Sequence, residues 1–168
     1  MPVEIDRTTL RALGAYMEER RDAVLSLTRA LVEEESPSGD LAGSRAVVGL
    51  LEREARSISS VNSVERIPAA GEFGEHLRVR AFGDAANWGE PVTLIIGHTD
   101  TVHPRGTLST QSVRAQGERL FGPGVFDMKA ACALALEVLR ALAVLDVIPD
   151  RPVVLLLTCD EEAGSATG

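Results

Sequence analysis

Aromatic residues are scarce in this chain, 4% of 168 residues with one Trp and one Tyr, so any core must be built mainly from Leu, Val, Ala and Ile. Cysteine is almost absent. Cys132 and Cys159 form no CxxC pair and no disulfide framework, which fits a reducing compartment and reads them as small buried apolar residues. Positive charge is also thin, with Lys and Arg numbering 17 against 25 Asp and Glu, a net charge of −8 and no basic run. That balance excludes a nucleic-acid or anionic-membrane surface, both of which need clustered cations. No apolar run approaches membrane-spanning length. The segment from Met1 to Glu19 scatters Glu4, Asp6, Arg7, Arg11 and Glu18 among its apolar positions, so it lacks the hydrophobic stretch of an export signal. A cytoplasmic location is the resulting expectation. No internal repeat or low-complexity tract is present.

What is present is an apolar fraction of 45%, ordinary for one soluble domain. Helical spacing runs through Leu10, Leu13, Tyr16 and Met17, and again through Val24, Leu27, Leu31 and Val32. Ser36-Pro37-Ser38-Gly39-Asp40 breaks the pattern and reads as a joint, with Ser38 or Asp40 capping a third helix through Val47, Val48, Leu51 and Ala55. Period-2 stretches at Val61 to Ile67 and His76 to Phe82 predict half-solvated strands, with Arg78 and Arg80 outward. Pro91 to Gly97 and Pro152 to Thr158 are nearly continuous apolar runs, the pattern of central strands covered on both faces. Between them, Met128 to Leu145 has helix length and is rich in Ala and Leu. The order strand, crossover, helix, strand predicts an α/β architecture.

In such sheets ligands gather outside the carboxyl ends of the strands. Three polar motifs fall there: His98-Thr99-Asp100, Gly124-Val125-Phe126-Asp127-Met128-Lys129 and Asp160-Glu161-Glu162. Histidine with carboxylates suits Zn²⁺ or a similar divalent ion, and a carboxylate can bridge two ions roughly 3.5–4 Å apart. On an extended backbone His98 and Asp100 project to one side, so Asp100 can hold the second imidazole nitrogen and fix its tautomer. Asp127 is expected to open the helix, where its charge suits the positive end of the dipole. Adjacent Glu161 and Glu162 point in different directions, leaving one to bind metal and the other to act as general base on a water. Other features read more plainly. Gly122-Pro123-Gly124 lacks a GxGxxG completion and excludes a dinucleotide loop, and Lys129 reads as a helix-surface charge.

Taken together, Gly97-His98-Thr99-Asp100-Thr101-Val102, Gly106-Thr107-Leu108, Leu120 to Lys129 and Asp160-Glu161-Glu162-Ala163-Gly164-Ser165 resemble the co-catalytic zinc peptidase and amidohydrolase family that includes glutamate carboxypeptidase, acetylornithine deacetylase, succinyl-diaminopimelate desuccinylase and aminoacylase. The stretch from His98 to Lys129 is most similar to the glutamate carboxypeptidase-like members, and Ser36 to Asp40 resembles the family's early loop. The resemblance implies a three-layer α/β/α catalytic domain with a largely parallel mixed sheet. It implies two Zn²⁺ ions, with Co²⁺ or Mn²⁺ as possible substitutes. His98 would bind one, Asp127 would bridge both and Glu162 would bind the other, with Asp100 orienting His98 and Glu161 as general base. The implied reaction is water attack on an amide, releasing an amino acid such as glutamate from a small peptide or N-acyl amino acid. A homodimer is possible in the complete enzyme.

The departures carry expectations of their own. Ala130-Ala131-Cys132 stand where the family usually has Gly. The resemblance places a further acidic ligand, a lid and dimerisation domain and a final His beyond Glu162, and His76 and His103 do not match those positions. Residues 1–168 are therefore expected to be the N-terminal part of a catalytic domain, truncated at its C-terminus, inactive alone and with an incompletely covered sheet. The alternative reading is a non-catalytic protein that binds metal loosely or associates with a partner chain.

Overall fold

The computed structural model describes residues 6–71, 73–83 and 91–168. The first five residues of the N-terminal segment read above lie outside them. Three helices come first, α1 (Arg7–Glu19), α2 (Arg21–Glu33) and α3 (Leu41–Arg56). Asp6 caps α1 by accepting from the Thr9 amide at 2.7 Å, and Asp40 caps α3 through the Gly43 amide at 2.8 Å. Of the two candidate caps for α3, Asp40 is the one used.

Strands β1 (Val61–Pro68), β2 (Glu75–Ala81) and β3 (Thr93–His98) follow, then a small hairpin of β4 (Arg114–Gln116) and β5 (Arg119–Phe121), helix α4 (Ala130–Val144) and strand β6 (Val153–Thr158). The hairpin had no alternating run long enough to reveal it in the sequence. Its one local signal is Gly117, whose φ of 58° lets the chain reverse between the two strands.

The main sheet has the order β1-β2-β6-β3. It is mixed, as expected, yet only β3 and β6 run parallel; β1 with β2 and β2 with β6 are antiparallel. The short β1–β2 connection accounts for one of these pairings, because a tight reversal can join only antiparallel neighbours. Leu77, Val79 and Ala81 of β2 and Val153, Leu155 and Leu157 of β6 turn to one face, where they pack with Leu31, Val47, Val48, Leu51, Leu136 and Leu139 of the helices. Cys132 and Cys159 are buried and unbridged, as read. Glu137 ties α4 to the N-terminal helices, accepting from Tyr16 Oη at 3.0 Å and Arg20 Nε at 2.8 Å.

Of the two apolar strands expected to be central and covered on both faces, β6 is central and β3 is not, and among the described residues neither is covered by helices on both faces. Among the described residues β3 is an edge strand, and Leu94 and Ile96 on its outer face are 52% and 63% exposed. A run of apolar residues records the burial of a strand in its finished surroundings, and among the described residues the helices pack on one face only. Val154 and Leu156 of β6 stand in register with Leu94 and Ile96, so the apolar surface continues across two strands. Such an edge favours association. The double substitution Leu94→Lys, Ile96→Lys is expected to suppress concentration-dependent self-association of the chain while leaving its helical content intact, as read by sedimentation velocity and circular dichroism.

Candidate metal centre

The parallel pairing of β3 with β6 sets His98 level with Thr158, so the segments that leave the two strands run side by side at the carboxyl edge of the sheet. The Thr99 amide and hydroxyl both donate to the Thr158 carbonyl, at 2.8 and 3.1 Å. Gly97 precedes His98 because a Cβ there would lie 2.8 Å from Met128 Cε and 3.1 Å from Leu157 Cδ2. That close approach brings the Asp127–Met128 segment against β3. Gly124 opens the same segment with φ 68°, where a Cβ would sit 2.5 Å from Thr101 Cγ2.

Asp127 does not begin the regular helix, as the sequence suggested. Its φ of −120° and ψ of 99° are extended, and α4 starts at Ala130. The Asp127–Met128 peptide is cis. Asp127 Oδ1 lies 3.1 Å from His98 Nε2. Glu162 completes the group: the donor atoms of His98, Asp127 and Glu162 all lie within 4.8 Å of one another. Glu161 and Glu162 do not diverge as fully as an extended pair would. They sit in a tight turn of three residues, Glu161–Ala163, whose smaller angular step lets Glu161 Oε2 also approach His98 Nε2, at 3.9 Å. Burial, reinforced by the charge of Asp127, pushes the Glu162 carboxyl above its ordinary range.

Asp100 is buried at the centre of the arrangement. His98 Nδ1 lies 3.1 Å from the Asp100 carbonyl oxygen and 3.4 Å from its carboxylate Oδ1; the shorter contact is the better hydrogen bond, and both are acceptors. In a neutral imidazole with the proton on Nδ1, Nε2 presents a lone pair toward Asp127. The Asp100 carboxylate also accepts from the Glu161 amide at 3.2 Å, the Glu162 amide at 3.1 Å and Ser38 Oγ at 2.5 Å. Ser38 was read only as part of a joint, and nothing local in the sequence tied it to Asp100. Ser36 Oγ adds a bond to the Thr99 carbonyl at 2.8 Å.

Lys129 is likewise reassigned. Instead of a helix-surface charge it is a buried ammonium that donates to the Leu31 and Glu34 carbonyls, both at 2.7 Å, at the end of α2. Burial brings its pKa down to about 8. It holds the Asp127 segment to the helical layer. Cys132 Sγ meets the His98 carbonyl at 3.2 Å, a second tie between α4 and the strand end.

A lone pair on His98 Nε2 and a carboxylate oxygen 3.1 Å away repel unless a cation or proton stands between them. With Glu162 beside them, the donor set of one imidazole nitrogen and carboxylate oxygens fits a divalent ion of the zinc class. Fold and site thus define an α/β domain with a histidine–carboxylate cluster suited to a cation at the carboxyl edge of the parallel pair β3–β6. The chain matches the model of Peptidase family M20/M25/M40, a family of hydrolytic enzymes, over residues 94–168.

It is 30% identical to carboxypeptidase G2 of Pseudomonas sp. (strain RS-16) over 148 residues, covering 88% of this chain and 34% of that one. It is 33% identical to succinyl-diaminopimelate desuccinylase of Stenotrophomonas maltophilia (strain K279a) over 158 residues, covering 87% and 37%. The fold matches human carnosine dipeptidase 1 with a TM-score of 0.78 at 14% identity, over 94% of this chain and 36% of that one. The chain spans about a third of the length of the curated relatives named here. No described helix is long and apolar enough to cross a membrane.

Proposed function

We propose that this chain forms the N-terminal part of a catalytic domain that hydrolyses amide bonds with two zinc ions, releasing an amino acid such as glutamate from a small peptide or an N-acyl amino acid. The observation that carries the reading is the convergence of His98, Asp127 and Glu162 from three separate segments. His98 Nε2 and Glu162 would each hold one ion and Asp127 would lie between them, with Co²⁺ or Mn²⁺ as alternatives. Bound there, the ions supply Lewis acidity that polarises the scissile carbonyl and makes water acidic. Asp100 keeps the proton on His98 Nδ1 so that Nε2 stays available. Glu161, more exposed than Glu162 and turned toward the same imidazole, accepts the proton of the attacking water at Oε2 and returns it to the leaving amine.

Within the described residues this set gives each ion one terminal ligand plus the shared Asp127, short of the roughly three protein ligands usual for a catalytic zinc. The 168-residue chain alone is therefore expected to show no turnover. The experiment is hydrolysis of N-acyl amino acids and of peptides ending in glutamate, with added Zn²⁺. In a protein that joins this chain to further ligands, Glu161→Gln is expected to lower kcat by about 10²–10⁴-fold. Full activity in that variant would refute the assignment of Glu161, and turnover by the chain alone would refute its incompleteness.

The exposed face of Leu94 and Ile96 favours a second reading, that the chain associates with a partner, a second copy included. Sedimentation velocity at rising concentration tests the association, and zinc-dependent hydrolysis tests the first reading.

A further inference from the structure

Behind the Glu161–Glu162 turn, on the other side of β6, lies a second group of donors. His76 of β2, Cys159 and Asp160 are all buried, and one ligand atom from each lies within 4.8 Å of the others. The antiparallel pairing of β2 with β6 brings them together, since Leu77 stands level with Leu157. Sequence reading treated Cys159 as an apolar filler and His76 as unmatched, and gave Asp160 no role beyond its place in the Asp160-Glu161-Glu162 motif.

Part of this group is explained by ordinary hydrogen bonding. The Cys159 amide donates to His76 Nδ1 at 3.2 Å, so Nε2 carries the proton and donates to Thr167 Oγ1, also at 3.2 Å. Thr167 in turn gives its hydroxyl and amide to Asp160 Oδ2 at 2.8 and 2.7 Å. That network leaves one atom unexplained. Asp160 Oδ1 is buried with no hydrogen-bond partner among the described residues, in a residue fully shielded from solvent. A bare carboxylate oxygen in the interior is among the costliest groups to leave unpaired. No ion pair joins Asp160 to a Lys or Arg among the described residues.

Cys159 Sγ and His76 Nδ1 lie 3.6 Å apart. Bond lengths of about 2.3 Å to sulfur and 2.0 Å to nitrogen place two tetrahedral ligands of one zinc roughly 3.5 Å apart, so the spacing suits a shared ion. We propose that His76, Cys159 and Asp160 form a second, sulfur-containing site for a divalent cation of the zinc class, separate from the His98 set. Sulfur, nitrogen and oxygen together select borderline-soft ions over Mg²⁺ and Ca²⁺, which take oxygen ligands. Binding releases the thiol proton to solvent and exchanges the amide bond at His76 Nδ1 for the ion, which also takes up the unpaired Asp160 oxygen. Because Asp160 directly precedes Glu161, an ion held here pins the base of the turn that carries both glutamates. The proposal does not rest on the hydrolase reading.

The test is titration of the metal-free chain with Co²⁺, reading the near-ultraviolet thiolate-to-cobalt charge-transfer band. The His98, Asp127 and Glu162 set has no thiolate and cannot produce it. The band is expected in the wild-type chain, in Cys132→Ser and in Asp127→Asn. It is expected to vanish in Cys159→Ser, and Asp160→Asn should weaken the binding it reports by at least about tenfold. A wild-type chain that shows no band at excess Co²⁺ would overturn the proposal without recourse to any variant. So would a band that persists in Cys159→Ser or is lost in Cys132→Ser.

Discussion

Asp100→Asn is expected to lower the affinity of the His98 centre for Zn²⁺ by roughly 10–100-fold, the range typical when a residue that orients a ligand is replaced. The substitution keeps the shape of the side chain and removes its charge. Three donors bond the carboxylate, the Glu161 amide on Oδ1 and Ser38 Oγ and the Glu162 amide on Oδ2, and His98 Nδ1 stands 3.4 Å from Oδ1. An asparagine offers one oxygen and one NH₂, so either orientation sets the NH₂ against a backbone amide. If the NH₂ replaces Oδ2, the Ser38 hydroxyl can rotate to accept, but the Glu162 amide is orphaned. If it replaces Oδ1, the Glu161 amide loses its acceptor and the NH₂ is set against His98 Nδ1, which keeps only the Asp100 carbonyl. An orphaned buried donor costs about 1–3 kcal/mol, enough to displace the turn that carries the glutamates. Competition with a chromophoric chelator, in a Cys159→Ser background that silences the sulfur site, measures the loss. An unchanged affinity would mean that Asp100 only fills space.

Lys129→Ala is expected to cost about 3 kcal/mol of stability. Two carbonyls at the end of α2, those of Leu31 and Glu34, lose charge-assisted bonds of the kind worth about 1.5–3 kcal/mol each. Loss of the packed side-chain stem adds a cavity cost. The opposing effect is relief of burying an ammonium, a penalty visible in the lowered pKa of Lys129. Two bonds and a cavity outweigh one desolvated charge. For a chain of this size the loss corresponds to a fall in Tm of about 6–12 °C. Lys129→Met, which keeps the stem and loses the donors, should fall between the two proteins. Thermal unfolding followed by circular dichroism orders the three, and a Lys129→Ala chain as stable as the wild type would show that the two carbonyls are satisfied without the lysine.

The elements and the polar motifs were legible because they rest on local chemistry. Apolar spacing marked α1 to α3, alternation marked β1 and β2, and His98, Asp127 and Glu162 stood at breaks in those patterns. What stayed hidden depended on contacts between distant segments. An apolar run such as Thr93–His98 does not say which of its faces is covered, so β3 could not be recognised as an edge. Lys129 looked like any charge beside a helix, because the carbonyls that receive it come from residues about a hundred positions earlier. Ser38 and His76 were invisible for the same reason. Asp127 was misplaced by three residues relative to α4, since an extended backbone just before a helix leaves no mark in residue spacing.

The central claim is that His98, Asp127 and Glu162 together hold a divalent cation. A crystal of the chain soaked in Zn²⁺, with diffraction recorded on both sides of the zinc absorption edge, tests it most directly. The account predicts an anomalous peak between His98 Nε2, Asp127 and Glu162, lost in Asp127→Asn. A map with no peak there, at a zinc concentration that loads other sites in the same crystal, would contradict it.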